Sequence, residues 1–228
     1  MQREEQDITR KKRVQWLSAA AAVLVLALLV IAGLRVRSWN AQRQEARALV
    51  LVNPWNSAEN AGFKPRLSDC EGWRVDRSCR KSLQQMLADC RAAGIETVVT
   101  AAWRSREEQQ RIFDEEKQRW LSLGYSEETS ATLAAREVGR PGESEHELGL
   151  AVDIAGDGAQ AWLRENAWRY GFILRYPEGS ESVTGRKCDP SHFRYVGSAA
   201  AAQMASLGQT LEEYLEMFFS ESAEIIFE

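Results

Sequence analysis

The residues with the clearest chemical potential are the chain's two histidines, His146 and His192. His146 belongs to a run, Ser-Glu-His-Glu-Leu-Gly-Leu-Ala-Val-Asp, that ends at Asp153. Because side chains alternate between the faces of a strand, Gly149, Ala151 and Asp153 would share one face, and the two small residues would leave space beside the carboxylate. His192 lies on a later predicted strand. If the two strands are neighbours, two imidazoles and one carboxylate converge.

Two imidazoles and a carboxylate form a ligand set that holds a catalytic zinc and leaves a fourth position for water. Water bound there becomes acidic enough to provide a nucleophile near neutral pH. Position 150 is leucine, so the chain has no His-Glu-x-x-His pattern and the helical zinc-protease motif is excluded. The competing interpretation is that each histidine is an ordinary packed or exposed side chain that binds no metal. If the three residues do bind a metal, their ligand types would also admit divalent transition metals other than zinc.

Hydrophobic periodicity, capping residues and β-branched runs predict the elements that must position these side chains. The predicted order is helix 80–93, strand 96–101, helix 105–120, a helix beginning at Ser126, strand 148–154, helix 160–170, strand 172–176, strand 192–196 and two closing helices, the second opened by a capping box at Thr210 and Glu213. This irregular order predicts an α+β fold, with a small antiparallel central sheet flanked by helices and carrying a zinc cleft.

The composition is that of one globular domain with an additional segment. Hydrophobic residues make up 44% of the 228 residues and charged residues 27%. The formal net charge is -4, so the chain has no overall basic field that would hold a polyanion. Nucleic acid is therefore not an expected partner.

An uncharged, strongly apolar stretch at residues 16–34 has the length of a helix that crosses a bilayer. Four basic residues at 10–13 precede it, which favours a cytoplasmic N-terminus. We therefore predict a single-pass protein of the cell membrane, in which one transmembrane helix precedes an extracytoplasmic domain. Its parts are a cytoplasmic tail at 1–15, a signal anchor at 16–34, a stalk at 35–48 and an extracytoplasmic domain at 49–228. A cleaved signal peptide and a buried core helix are the alternatives.

All four cysteines, Cys70, Cys79, Cys90 and Cys188, follow the apolar stretch. An oxidising environment would allow them to form two disulfides, with three possible pairings. Free buried thiols are the alternative. A structural zinc site made of four thiolates is possible in principle, but the chain lacks the short paired spacing that is typical of such sites.

The most specific segments of the sequence are SEHELGLAVDI, NAWRYGFILRYP and SHFRYVG. They resemble the VanY-type D-alanyl-D-alanine carboxypeptidases. The resemblance also includes NPWN, AAWRS and LEEYL, and it covers nearly all of residues 49–215. The combination of SxHxxGxAxD with a downstream HxRYVG is far more specific than any single short motif.

The resemblance implies a zinc metallopeptidase that removes the terminal D-alanine from peptidoglycan stem peptides or their precursors. It implies that His146, Asp153 and His192 hold the zinc. It also implies that Arg104, in AAWRS, polarises the scissile carbonyl and its developing oxyanion. A cation aimed at charge that appears only in the transition state lowers the barrier selectively. The alternative for Arg104 is a surface ion pair at the start of a helix.

Ser144 and Gln109 match family positions near the substrate, so the resemblance implies that they bind it. The chain departs from the family before His192, where Asp189-Pro-Ser replaces the usual Glu-x-Trp. The resemblance makes Asp189 the general base, but its side chain is one methylene shorter, and a base must come within about 2.6 to 3.2 Å of its proton donor, directly or through one water. Ser191 removes a large apolar side chain beside the site.

These departures motivate a second hypothesis. The chain would then be a catalytically weakened zinc-cleft protein that binds cell-wall peptide or a protein partner. A third hypothesis, related in fold, is cleavage within a peptide rather than at its end.

Overall fold

A computed structural model describes residues 29–37 and 47–224 of the chain. The chain divides into two units, Met1–Gln44 and Glu45–Glu228. In the first unit, residues 29–37 form a helix, α1. Within the described residues, no helix combines the length and the apolar character needed to cross a membrane.

Much of the predicted N-terminal organisation therefore lies outside the described residues. This applies to the whole cytoplasmic tail, to the predicted anchor up to residue 28 and to most of the predicted stalk. The second unit begins at Glu45 and so takes in the last residues of that predicted stalk. Among these, Arg47 lies over the ring of Phe63 at 4.0 Å, and Ala48 is fully buried.

The second unit alternates short strands with helices. In chain order its elements are β1 (Leu67–Cys70), β2 (Trp73–Asp76), α2 (Arg77–Ala92), β3 (Val98–Ala101), α3 (Arg106–Ser122), α4 (Glu127–Glu137), β4 (Ala151–Ala155), α5 (Ala159–Asn166), β5 (Phe172–Tyr176), α6 (Glu181–Thr184), β6 (Asp189–Tyr195), α7 (Ser198–Leu207) and α8 (Leu211–Glu224). Single 3-10 turns at Glu145–Leu148 and Ala167–Tyr170 precede β4 and β5.

The central sheet has four strands in the order β3-β4-β6-β5, and every neighbouring pair is antiparallel. This confirms the predicted α+β fold with a small antiparallel sheet. The register between β4 and β6 places Asp153 directly opposite His192. Two residues that are 39 positions apart in the sequence are thus fixed side by side by backbone pairing.

The core forms where α2 packs with the sheet and the neighbouring helices. Leu83, Met86 and Leu87 recur at helical spacing on α2 and are fully buried, together with Val152 of β4 and Phe193 of β6. Apolar side chains on facing elements thus exclude water from one side of the sheet, which supplies the dominant favourable term in folding.

The structure corrects the predicted start of β4. The predicted strand 148–154 begins later, at Ala151, because Leu148 ends a 3-10 turn and Gly149 follows that turn instead of sharing a strand face with Ala151 and Asp153. Gly149 ends the turn with φ of +67°, a left-handed conformation that side chains with a Cβ rarely adopt. A Cβ at Gly149 would also come within 3.0 Å of the backbone nitrogen of Asp76. The turn therefore needs glycine at this position.

Helix caps agree better with the sequence. Ser105 and Ser126 cap α3 and α4 by accepting hydrogen bonds from Glu108 N and Thr129 N. At α8, Thr210 N donates to Glu213 Oε2 at 2.8 Å and Glu213 N donates to Thr210 Oγ1 at 3.3 Å, which is the predicted capping box.

The structure does not support the predicted disulfides, because all four cysteines are free thiols. Cys79 and Cys90 lie on one helix about 16 Å apart, beyond the roughly 7 Å that a disulfide allows between Cα atoms. The Cys79 thiol instead donates to the carbonyl of Asp76 at 3.2 Å. Cys70, Cys79 and Cys90 are buried, as the free-thiol alternative expected, and Cys188 is partly exposed.

Candidate metal centre

Each of the three predicted ligands comes from a different element. Asp153 lies on β4, His192 lies on β6, and His146 lies in the 3-10 turn that leads into β4. The turn is fixed because the amides of Arg104 and Gly149 both donate to the His146 carbonyl, at 3.2 and 3.0 Å. Local backbone geometry thus sets the direction of His146, and sheet register sets the other two.

The three side chains form a compact cluster whose candidate ligand atoms all lie within 4.8 Å of one another. Asp153 Oδ1 lies 2.8 Å from His192 Nδ1 and 3.3 Å from His146 Nε2. The two imidazole rings are nearly perpendicular, with centroids 4.8 Å apart. Both histidines are buried and Asp153 is mostly buried, so the cluster lies at the base of a cleft.

The outward-facing nitrogen of each imidazole has an anchor. His146 Nδ1 lies 2.7 Å from the carbonyl oxygen of Ala102, just after β3. His192 Nε2 lies 3.4 Å from Glu145 Oε2. Metal-binding histidines usually use their second nitrogen in this way, because the anchor fixes both the tautomer and the ring orientation. The chemistry of this donor set and its anchoring therefore fit a zinc ion.

Electrostatics within the cluster follow from burial and pairing. Burial by itself would raise the pKa of Asp153, but the two histidines hold it well below its ordinary value. Burial lowers the pKa of His146. Burial acts in the same direction on His192, but its hydrogen bonds to Asp153 and Glu145 outweigh burial and raise its pKa.

Glu145 is a buried residue that the sequence interpretation did not single out. Its carboxylate is fully buried and pairs with Arg175 Nε and Arg194 Nη1, both at 2.8 Å. Burial would raise its pKa, but the two guanidinium groups and His192 keep it well below the ordinary value. Arg175 in turn binds Glu212 on α8 through bonds of 2.8 and 2.6 Å. We call Glu145, Arg175, Arg194 and Glu212 the Glu145 ion-pair network.

Arg104 lies beside the cluster, 3.5 Å from Asp153 Oδ2 and 3.4 Å from Gln109 Oε1. Gln109 is fully buried and spends its amide hydrogens on the carbonyls of Val138 and Gly139, at 2.8 and 2.9 Å. These contacts fix the Gln109 side chain so that its amide oxygen faces Arg104. Burial lowers the pKa of Arg104, and Asp153 opposes that effect.

Two further predicted residues, Ser144 and Asp189, line the same cleft as the cluster. Asp189 Oδ1 accepts hydrogen bonds from Ser191 N at 2.9 Å and from Ser191 Oγ at 2.6 Å. Ser191 therefore fixes the orientation of the Asp189 carboxylate. Tyr176 was not predicted; it also lines the cleft, with its ring 4.9 Å from that of His192.

The fold brings together two histidines and one carboxylate, which is the ligand set of one class of catalytic zinc site in hydrolases. The family model of the VanY D-alanyl-D-alanine carboxypeptidases matches residues 72–198. The chain belongs to the VanY family.

Similar proteins agree with this assignment. A D-alanyl-D-alanine carboxypeptidase of Enterococcus faecalis is 39% identical over 176 residues, which cover 74% of this chain and 65% of that protein. The chain thus spans slightly less than two thirds of this relative. Two solved structures, each 38% identical with a TM-score of 0.71, cover 74% of the chain. One is a mutant of the vancomycin resistance D,D-pentapeptidase VanY with Zn(II), which is covered to 99%, and the other is VanYB with D-alanine-D-alanine, which is covered to 97%.

Proposed function

We propose that the chain is a zinc-dependent carboxypeptidase that removes the terminal D-alanine from peptides ending in D-Ala-D-Ala, such as peptidoglycan stem peptides or their precursors. The observation that carries this proposal is the pairing of Asp153 with His192 across β4 and β6, with His146 completing a cluster of ligand atoms within 4.8 Å. The similarity to VanYB, which was solved with D-alanine-D-alanine, supports the substrate class.

His146, Asp153 and His192 would hold the zinc. When bound, zinc supplies Lewis-acid chemistry that polarises a carbonyl oxygen and makes water acidic enough to act as a nucleophile near neutral pH. The protein holds each ligand ready through a contact behind it, the Ala102 carbonyl for His146 and Glu145 for His192. Little rearrangement is then needed when the ion arrives.

Asp189 is the proposed general base, which takes a proton from the attacking water and returns it to the leaving amine. Its carboxylate lines the cleft, and the two hydrogen bonds from Ser191 hold it in one orientation. A shorter base that is fixed in position can act where a longer one would, provided that the attacking water lies within hydrogen-bond reach of its carboxylate.

Arg104 is the proposed electrophilic residue for the oxygen that becomes negative in the transition state. It is held between Asp153 and Gln109, so its guanidinium group is oriented before substrate binds. Donors that are already oriented toward developing charge need no reorganisation during the reaction. Ser144 is the proposed substrate-binding residue at the cleft wall. Gln109 is a second proposed substrate-binding residue, and its contact with Arg104 supports a further proposed role in positioning that guanidinium group.

The proposed location is the outer face of the cell membrane, with the catalytic domain tethered by a helix at residues 16–34. The supporting observations are the uncharged length of that stretch and the basic residues at 10–13 before it. A tether of this kind would hold the enzyme beside its substrate in the cell wall.

A second candidate is a protein that binds cell-wall peptide, or a protein partner, through the same cleft with weakened catalysis. The observation that favours it is the shorter Asp189 carboxylate, one oxygen of which already accepts two hydrogen bonds from Ser191. Such a protein would retain peptide without releasing D-alanine.

The experiment is a panel of stem pentapeptides with free and amidated C-termini, incubated with zinc-loaded protein and followed by mass spectrometry. Loss of one D-alanine from the free peptide alone supports the carboxypeptidase. Cleavage of both peptides would identify an internal peptidase. Binding of intact peptide in the absence of cleavage would identify the second candidate.

A further inference from the structure

The starting observation is the two-sided environment of His192. Its Nδ1 lies within the ligand cluster, 2.8 Å from Asp153, whereas Nε2 points away from the cluster toward Glu145 at 3.4 Å. An imidazole that binds a metal through Nδ1 must carry its remaining proton on Nε2. Glu145 is therefore placed to accept that proton in a hydrogen bond and to select this tautomer.

The second observation is the asymmetric way in which Glu145 is held. Arg175 and Arg194 both pair with Oε1, at 2.8 Å each, while Oε2 is the atom that faces His192. Glu145, Arg175 and Arg194 are all fully buried. Burying a carboxylate costs several kcal/mol unless cations compensate it. The two arginines thus keep a negative charge behind the imidazole and fix the direction of its free oxygen.

The third observation links this charge to the C-terminal helix. Arg175 binds both carboxylate oxygens of Glu212 on α8, and Glu212 Oε1 also accepts from Asn53 Nδ2 at 3.0 Å. Glu212 is only 12% exposed. A continuous series of charged contacts therefore runs from α8 through Arg175 and Glu145 to His192.

We propose that Glu145 is a positioning residue for His192, and that Glu212 secures it from α8, so that metal affinity and the docking of α8 depend on each other. The proposal rests on the proposed function only in taking zinc as the metal. The competing explanation is that the Glu145 ion-pair network stabilises the fold and does nothing for the site. Metal affinity separates the two, because a purely structural role would change stability without changing affinity.

The expected effects differ along the network. Replacing the carboxylate behind a metal-binding histidine lowers metal affinity by roughly 10- to 100-fold, and we expect this loss for Glu145→Gln. Glu212→Gln acts through two intervening residues, and we expect a loss of roughly 2- to 30-fold. Linkage is reciprocal, so zinc should also increase the hydrogen-exchange protection of amides at 211–217.

The test measures zinc dissociation constants by competition with a chromophoric chelator on metal-free full-length protein, and the absorption spectrum after cobalt substitution. Glu213→Gln is the matched control, because it removes one negative charge from the same helix, keeps a residue type that can serve in the capping box and does not touch Arg175. Leu83→Ala is the second control, because it destabilises the core away from the network. We expect both controls to keep the affinity of the unmodified protein.

The proposal is overturned if Glu145→Gln binds zinc within twofold of the unmodified protein with an unchanged cobalt spectrum. It is also overturned if Glu212→Gln matches Glu213→Gln, or if zinc leaves protection at 211–217 unchanged. Should Glu145→Gln fail to fold, Glu212→Gln and the exchange measurement decide. A protein that binds zinc as described but releases no D-alanine would refute the proposed function and leave this inference standing. A protein that binds no zinc would overturn both.

Discussion

Asp76 offers a sharp test of how the domain is held together around the site. Its Oδ1 accepts from Ser78 N at 2.9 Å and from Ser78 Oγ at 2.7 Å, and so caps α2. Its Oδ2 accepts from Arg66 N at 2.6 Å and lies 3.4 Å from Arg47 Nη2. Its backbone amide donates to the carbonyl of Gly149, which ends the turn carrying His146.

Asp76→Asn separates these two roles. The amide oxygen can still cap α2, but the amide nitrogen must take the place of Oδ2 and would face two donors. Losing one hydrogen bond to a charged group, with a buried amide left unpaired, should lower the free energy of unfolding by about 1.5 to 3 kcal/mol. Asp76→Ala also removes the cap and should cost about 1 kcal/mol more.

The stabilisation by Asp76 should depend on pH in a direction set by its shifted pKa. Burial opposes ionisation of Asp76, but the hydrogen bonds from Arg66 and Ser78 outweigh it and lower its pKa. Its stabilisation is therefore fully present above the unfolded pKa, about 3.9, and is lost as pH falls through the folded value. Urea unfolding of the metal-free protein should show the full difference from Asp76→Asn at pH 7 and a shrinking difference below about pH 4. A difference under 0.5 kcal/mol at pH 7, or one independent of pH, would refute this reasoning.

Three further predictions concern the site and the thiols. Asp189→Asn should lower kcat by roughly 10²- to 10⁴-fold while zinc content, measured by atomic absorption, stays the same; a loss of zinc would instead make Asp189 a ligand. Gln109→Leu should lower kcat by freeing Arg104 and leave the zinc dissociation constant unchanged, and a changed dissociation constant would contradict the role given to it. A thiol reagent should label Cys188 first in the native protein and the three buried cysteines only after unfolding, so a native protein without titratable thiols would contradict the free-thiol structure.

The parts of the fold that follow local rules could be predicted from the sequence. Ser105, Ser126 and Thr210 act through side-chain contacts within one helical turn, so the caps are visible in the chain itself. The cluster of His146, Asp153 and His192 was also accessible from the sequence, because Asp153 follows Ala151 in an alternating strand and the chain has only two histidines.

The parts that depend on tertiary pairing were missed. The β1–β2 hairpin has strands of only four residues, and Asp69 occupies the position in β1 where an apolar residue would continue the alternation. The sequence analysis did not predict a buried ion pair at Arg175 and Arg194, yet both are fully buried because Glu145 compensates their charge. The one available signal was that Arg175 interrupts the otherwise apolar run of β5.

The most direct test of the central claim is release of D-alanine from a peptide ending in D-Ala-D-Ala by the zinc-loaded full chain, compared with metal-stripped protein and His192→Ala. We expect release by the loaded protein, none from the stripped protein until zinc is restored, and none from His192→Ala under either condition. Zinc-loaded protein that leaves the peptide intact, or His192→Ala that cleaves at the original rate, would contradict it.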